Sequence, residues 1–136
     1  WLAADILKDC GYNIILGPIL TDRSKIELKN QTVKAPGILS KAGIDVAIMT
    51  DHPCVPIQHL MLSASLAARE GMAPEDALKA ITINAAKCVK LDNRIGSLEI
   101  GKDADMVLYT GNPLDYSSKV KMTFINGILV YENQEG

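Results

Sequence analysis

Histidine is scarce: the 136 residues include only two, His52 and His59. A self-contained catalytic zinc site draws on two or three His or Cys ligands plus a carboxylate, so the shortage argues against a complete metal centre within this chain. Aromatic residues are few as well, six in all, and 14 Lys and Arg are scattered among 16 Asp and Glu for a net charge of −2. With no basic block and few stacking side chains, a nucleic-acid partner is excluded. No apolar run approaches the roughly 18 residues needed to cross a bilayer, and nothing near Trp1 reads as a charged segment followed by an apolar one, so a membrane partner is excluded too. The cysteines are odd in number, and Cys10, Cys54 and Cys88 stand far apart outside any C-x-x-C pattern. They fit buried, reduced thiols of a cytoplasmic protein rather than a disulfide framework or a zinc knuckle. An initiator Met is missing as well: Trp1, Leu2 and Ala3 already fall on helical spacing, which predicts the interior of a longer chain.

What is present, 48% hydrophobic and 22% charged residues, is the composition of one soluble globular domain or a piece of one. Leu2, Ala3, Ile6, Leu7 and Cys10 recur at helical spacing ahead of Gly11, predicting a helix over 1–10. The run 13–18, ending in Gly-Pro, predicts a buried strand, and the polar stretch 21–34, which has no clean period, a loop. A short helix over 36–42 then leads into a second strand over 44–50, apolar on both faces apart from Asp45. Strands of that kind, joined through a helix, are the signature of a parallel sheet covered by helices. Two longer helices are predicted over 56–69 and 74–89, the second with Pro74, Glu75 and Asp76 at its positive end but with Ala73 a poor cap. Beyond Lys90 the texture changes to strands over 95–100 and 104–109 and a hairpin, 122–125 with 128–132, turning at Asn126 and Gly127.

Open α/β sheets and barrels bind ligands at the carboxyl ends of their strands, so Asp51, directly after the second strand, is the first candidate. A carboxylate there could bind a metal ion or take a proton from a metal-bound water; the bland alternative is a turn or helix-capping residue. His52 is a weaker candidate because neighbours in an extended segment point opposite ways. His59, in the first turn of the next helix, reads as a surface or packing residue. The five methionines read as core filling.

Three stretches carry a resemblance: Ala-Ile-Met-Thr-Asp-His-Pro at 47–53, Ala-Leu-Lys-Ala-Ile-Thr-Ile-Asn-Ala-Ala at 77–86, and above all Ile-Gly-Ser-Leu-Glu-Ile-Gly-Lys-Asp-Ala-Asp-Met-Val-Leu-Tyr at 95–109. The closing Ile-Asn-Gly-Ile-Leu-Val-Tyr at 125–131 adds to them. Together they resemble the C-terminal part of the metal-dependent amidohydrolase superfamily, in its imidazolonepropionase-like branch. The resemblance implies an α/β fold: the C-terminal portion of a (β/α)8 TIM-like barrel, its last two βα units, in residues 1–90, and the C-terminal strands of a small β-sandwich in 91–136. It implies that Asp51 is the aspartate after strand eight, which binds the metal and acts as general base toward water. His52, in an Asp-His-Pro typical of the branch, is then expected to line the substrate pocket. The Gly-Lys-Asp-Ala-Asp motif at 101–105 is expected to be structural, with Gly101 permitting a tight turn and Asp103 and Asp105 satisfying turn amides.

The family's His-x-His after the first strand, its strand-four ligand and the His ligands after strands five and six do not occur here. The resemblance therefore implies a divalent metal, zinc foremost with manganese or iron as alternatives, in the intact protein and none tightly bound by this piece, which is expected to be inactive alone. Its two parallel strands have unpaired edges, so the piece is expected to form a homo-oligomer. The leading reading is part of a cytoplasmic hydrolase of cyclic amides or peptide-like C–N bonds acting on a small-molecule substrate; the alternative is a non-catalytic binding or assembly module that has lost the metal.

Overall fold

A computed structural model describes residues 1–134 of the chain. It is a mixed α/β arrangement with two separate sheets. In chain order these are α1 (Ala4–Leu7), β1 (Ile14–Leu16), α2 (Ala35–Lys41), β2 (Val46–Ile48), α3 (Leu60–Arg69), α4 (Pro74–Ala80), α5 (Ile83–Cys88), β3 (Met106–Tyr109), β4 (Val120–Ile125) and β5 (Ile128–Glu132). Short 3-10 turns, Ile26–Leu28 and Ile57–His59, lie in the first long loop and ahead of α3. Among the described residues no helix is long and apolar enough to cross a membrane.

β1 and β2 pair in parallel, Ile14 opposite Val46 and Leu16 opposite Ile48. Side chains alternate across a strand, so these four residues share one face. Val46 packs there with Leu39 and Ile44, and Ile48 joins Ile19, Ala64, Ala67, Met72, Ala77 and Ala80 in the larger core cluster. Small residues on α3 and α4 let the helix backbones approach the sheet closely. The other face is more open, with Ile15 52% and Met49 38% exposed. β1 is therefore covered on one side, not buried on both as its composition predicts.

The two strands come closest where they end. Gly17 has φ +153, and a Cβ there would fall inside the van der Waals sphere of the Met49 carbonyl oxygen. Glycine is the residue that backbone and space both admit at this point.

The second sheet is antiparallel, in the order β3-β4-β5. Asn126 (φ 51) and Gly127 (φ 76) supply the two positive φ angles of a type I′ hairpin turn, as Asn-Gly predicts.

Several expected elements are redrawn. The N-terminal helix contracts to one turn, Ala4–Leu7, and the helix expected over 56–69 opens as a 3-10 turn before α3. The helix expected over 74–89 is two helices, broken at Thr82 (φ −129, ψ −100). Three β-branched residues in succession, Ile81, Thr82 and Ile83, weaken the helix there, and the Thr82 hydroxyl donates to the Leu78 carbonyl at 2.7 Å. The break turns buried Asn84 toward the sheet, where its Nδ2 donates to the Val46 carbonyl at 3.0 Å. Residues 95–100 form turns rather than a strand. The amides of Arg94 and Ile95 both turn back to the Leu91 carbonyl, at 2.9 and 3.0 Å, and Ser97, Glu99 and Lys102 bond to one another. Cys10 and Cys54 are exposed and Cys88 is half-buried; all three are free, so the reading of buried thiols is corrected. Of the methionines only Met72 lies fully in the core.

Candidate functional site

Because β1 and β2 are parallel, their C-terminal ends lie at one end of the pair, with Gly17 and Pro18 following one strand and Met49, Thr50 and Asp51 following the other. Thr50 is buried, 3% exposed, and anchors the turn that begins there: its carbonyl accepts the Val55 amide at 3.3 Å. Asp51 comes next, exposed and with φ 55. Non-glycine residues rarely adopt this left-handed conformation, Asp and Asn being the main exceptions, and when they do the surrounding structure must hold them there. Here the Asp51 carbonyl accepts the Cys54 amide at 2.8 Å, and Val55 returns to the core.

The Asp51 carboxylate itself has no hydrogen-bond or ion-pair partner among the described residues. A turn-capping Asp would accept a nearby backbone amide, and a structural one would pair with Lys or Arg. Other carboxylates in the chain do just that: Asp45 pairs with Lys87 at 2.7 Å and Asp103 with Arg94 at 2.7 Å, while Asp105 accepts the Asn126 amide at 2.9 Å. Asp105 thus holds the hairpin turn as the motif reading expects. Asp103 is an ion-pair residue instead of a turn cap.

His52 is exposed, and its Nδ1 accepts the Ile57 amide at 3.3 Å. His59 is also exposed, in the 3-10 turn, where its carbonyl accepts the Ser63 hydroxyl at 3.1 Å. Cys54, which the residue pattern did not single out, lies with its Sγ 4.0 Å from the Thr21 hydroxyl. That contact joins the start of the long polar loop to the turn after β2.

The same loop shapes a cleft of about 420 Å³ beside the end of β1, lined chiefly by Trp1, Leu16, Pro18, Ile19, Leu28 and Gln31. The Gln31 amide nitrogen donates to the Pro18 carbonyl and the Trp1 indole to the Asn30 carbonyl at 2.8 Å, so the loop is fixed to β1 and to the first residue. Its lack of period left this cleft invisible in the sequence.

Among the described residues no group of three or more His, Cys, Asp or Glu side chains converges as metal ligands would. Asp51 offers one ligand where a catalytic zinc uses three from the protein. These residues by themselves do not fit a metal ion.

The chain belongs to the amidohydrolase family, whose family model matches residues 5–130. Within that family it is imidazolonepropionase-like. It is 34% identical over 135 residues to an imidazolonepropionase of Picrophilus torridus, covering 93% of this chain and 33% of that protein. It superposes on the crystal structure of an amidohydrolase from Thermotoga maritima with a TM-score of 0.89 and 40% identity, over 97% of this chain and 35% of that one. An N-substituted formamide deformylase of Arthrobacter pascens is 29% identical over 108 residues, 67% of this chain and 20% of that protein. The chain therefore spans between 20% and 35% of the length of these relatives. Members of the superfamily generally use divalent metals.

Proposed function

We propose that this chain supplies the catalytic carboxylate, Asp51, of a metal-dependent hydrolase that cleaves C–N bonds in cyclic amides or peptide-like small molecules. The observation that carries the reading is the Asp51 carboxylate: exposed, unpartnered among the described residues, and set on a left-handed backbone at the C-terminal end of a parallel strand. Strand ends of this kind are where α/β barrels keep their catalytic groups, and a carboxylate unused by turn or ion pair is free to take a proton. In the reaction water adds to the carbonyl carbon, an Asp51 oxygen takes the proton that water gives up, and the proton passes to the nitrogen as the C–N bond breaks. A divalent ion, zinc foremost with manganese or iron as alternatives, supplies Lewis acidity and a more acidic water when bound. Asp51 is one of its ligands in this reading, and the remaining ligands come from outside the described residues. His52 lines the substrate pocket beside it.

On the same reading residues 1–90 are the last two βα units of a TIM-like barrel, the open face bearing Ile15 and Met49 being its interior, and 91–136 are strands of a small β-sandwich. The protein works in the cytoplasm, in keeping with its three free cysteines, and as a homo-oligomer. The 136 residues alone are inactive, since one carboxylate holds a divalent ion weakly.

Metal analysis of the full-length protein, read together with amide hydrolysis by it and by the 136-residue chain, tests this. The expected result is a bound divalent ion and turnover in the full-length protein and neither in the short chain. Full-length protein with neither metal nor turnover would leave the non-catalytic binding or assembly module in its place.

A further inference from the structure

Polar groups around the cleft beside β1 are unevenly used. Two donors are committed to the walls themselves, the Trp1 indole to the Asn30 carbonyl at 2.8 Å and the Gln31 amide nitrogen to the Pro18 carbonyl. Two acceptors are left over. Gln31 Oε1 is buried with no hydrogen-bond partner among the described residues, a state rare enough in folded proteins to call for one. The Glu27 carboxylate, in the middle of the 3-10 turn Ile26–Leu28, has no hydrogen-bond or ion-pair partner among the described residues either. Glu27 is also the one charged side chain among the described residues that line the cleft; Lys25 and Lys29, close to it in sequence, take no part in the lining. Most of the remaining wall is apolar, with Trp1, Leu16, Pro18, Ile19 and Leu28. An apolar pocket of about 420 Å³ with a few polar groups has the make-up of a small-molecule site.

We propose that this cleft binds a small organic ammonium ion, its apolar body against Trp1, Leu16 and Leu28 and its N–H groups accepted by the Glu27 carboxylate and Gln31 Oε1. An anion would be repelled by Glu27, and a molecule without a donor would leave Gln31 Oε1 unpaired. A cation with an apolar body is the class that satisfies both. The walls are braced in the absence of a ligand, since the Gln31 backbone amide donates to the Leu28 carbonyl at 2.9 Å in addition to the two side-chain tethers. Walls held in place lower the ordering cost of binding. The site stands apart from the amide-hydrolase reading, because neither Asp51 nor His52 lines it.

Titration of the full-length protein with benzylammonium, followed by saturation-transfer NMR, tests the proposal, with benzoate as the probe of the same body and opposite charge. The expected result is saturable binding of benzylammonium that weakens in high salt, and no binding of benzoate. Glu27→Gln, at an exposed position, should keep the fold and weaken binding by about tenfold or more, the scale of a lost charge-assisted hydrogen bond. Leu28→Trp, which fills the cleft, should abolish binding, and Asp51→Asn should leave it unchanged. A full-length protein that ignores benzylammonium overturns the proposal, as does equal binding of benzoate, binding that survives Glu27→Gln, or binding lost in Asp51→Asn. If Leu28→Trp does not fold, Glu27→Gln decides by itself. Amide turnover is a separate readout: a protein without it that still binds benzylammonium through Glu27 refutes the function proposed above and leaves the ammonium site standing.

Discussion

β2 and β5 are both apolar in sequence, yet in the structure they have opposite fates. Val46, Ala47 and Ile48 of β2 are all buried, while every residue of β5 is exposed, Ile128 at 67% and Val130 at 52%. The difference is cover. α2, α3, α4 and α5 all pack on β2, whereas β5 is the edge of a three-stranded sheet that no described helix crosses. Apolar patterning identifies a strand; what lies over it has to come from other segments of the chain. Asp103 and Asp105, beside the sheet, are bonded to Arg94 and to the Asn126 amide, while the Asp51 carboxylate, at the strand end of the helix-covered half, is free.

The contrast breaks if truncating a core residue and an edge residue costs the same. Leu39→Ala, at a side chain 1% exposed, should destabilise the protein by about 3 kcal/mol, and Leu129→Ala on β5 by less than about 1 kcal/mol, as read from urea unfolding midpoints. Equal shifts would mean that something covers β5 in solution. Asn84→Ala sharpens the comparison next. It strips the buried Val46 carbonyl of its donor and should cost about 1–3 kcal/mol. Lys87→Met, which removes the half-exposed partner of Asp45, should cost less than about 1 kcal/mol and lose even that in high salt. The smallest effect is kinetic. Burial raises the Cys88 thiol pKa, so at any pH below that value less of it is thiolate, and a thiol reagent at pH 8 should label exposed Cys10 and Cys54 before Cys88.

Much of this was legible in the sequence. The parallel strand pair, the Asn-Gly hairpin and Asp51 after the second strand followed from local signals: β-branched runs, a turn dipeptide and a carboxylate at a strand end. The features that were missed depend on distant partners. The break at Thr82 has a local cause in three β-branched residues, but its use, aiming Asn84 at Val46, depends on a strand 38 residues away. Residues 95–100 alternate like a strand, but a strand needs a ladder partner, and the Ile95 amide turns back on the Leu91 carbonyl instead. Nothing in the sequence separates the free Asp51 from the bonded Asp103 and Asp105, because freedom is a statement about neighbours.

The most direct test of Asp51 as the proton-accepting carboxylate is the turnover of full-length Asp51→Asn on an amide substrate, with its unfolding curve measured alongside. Asn keeps the size of the side chain and tolerates the left-handed backbone, so the fold should hold. Turnover should fall by about 10²-fold or more, the scale of a lost general base. Unchanged turnover in a folded variant would contradict the assignment.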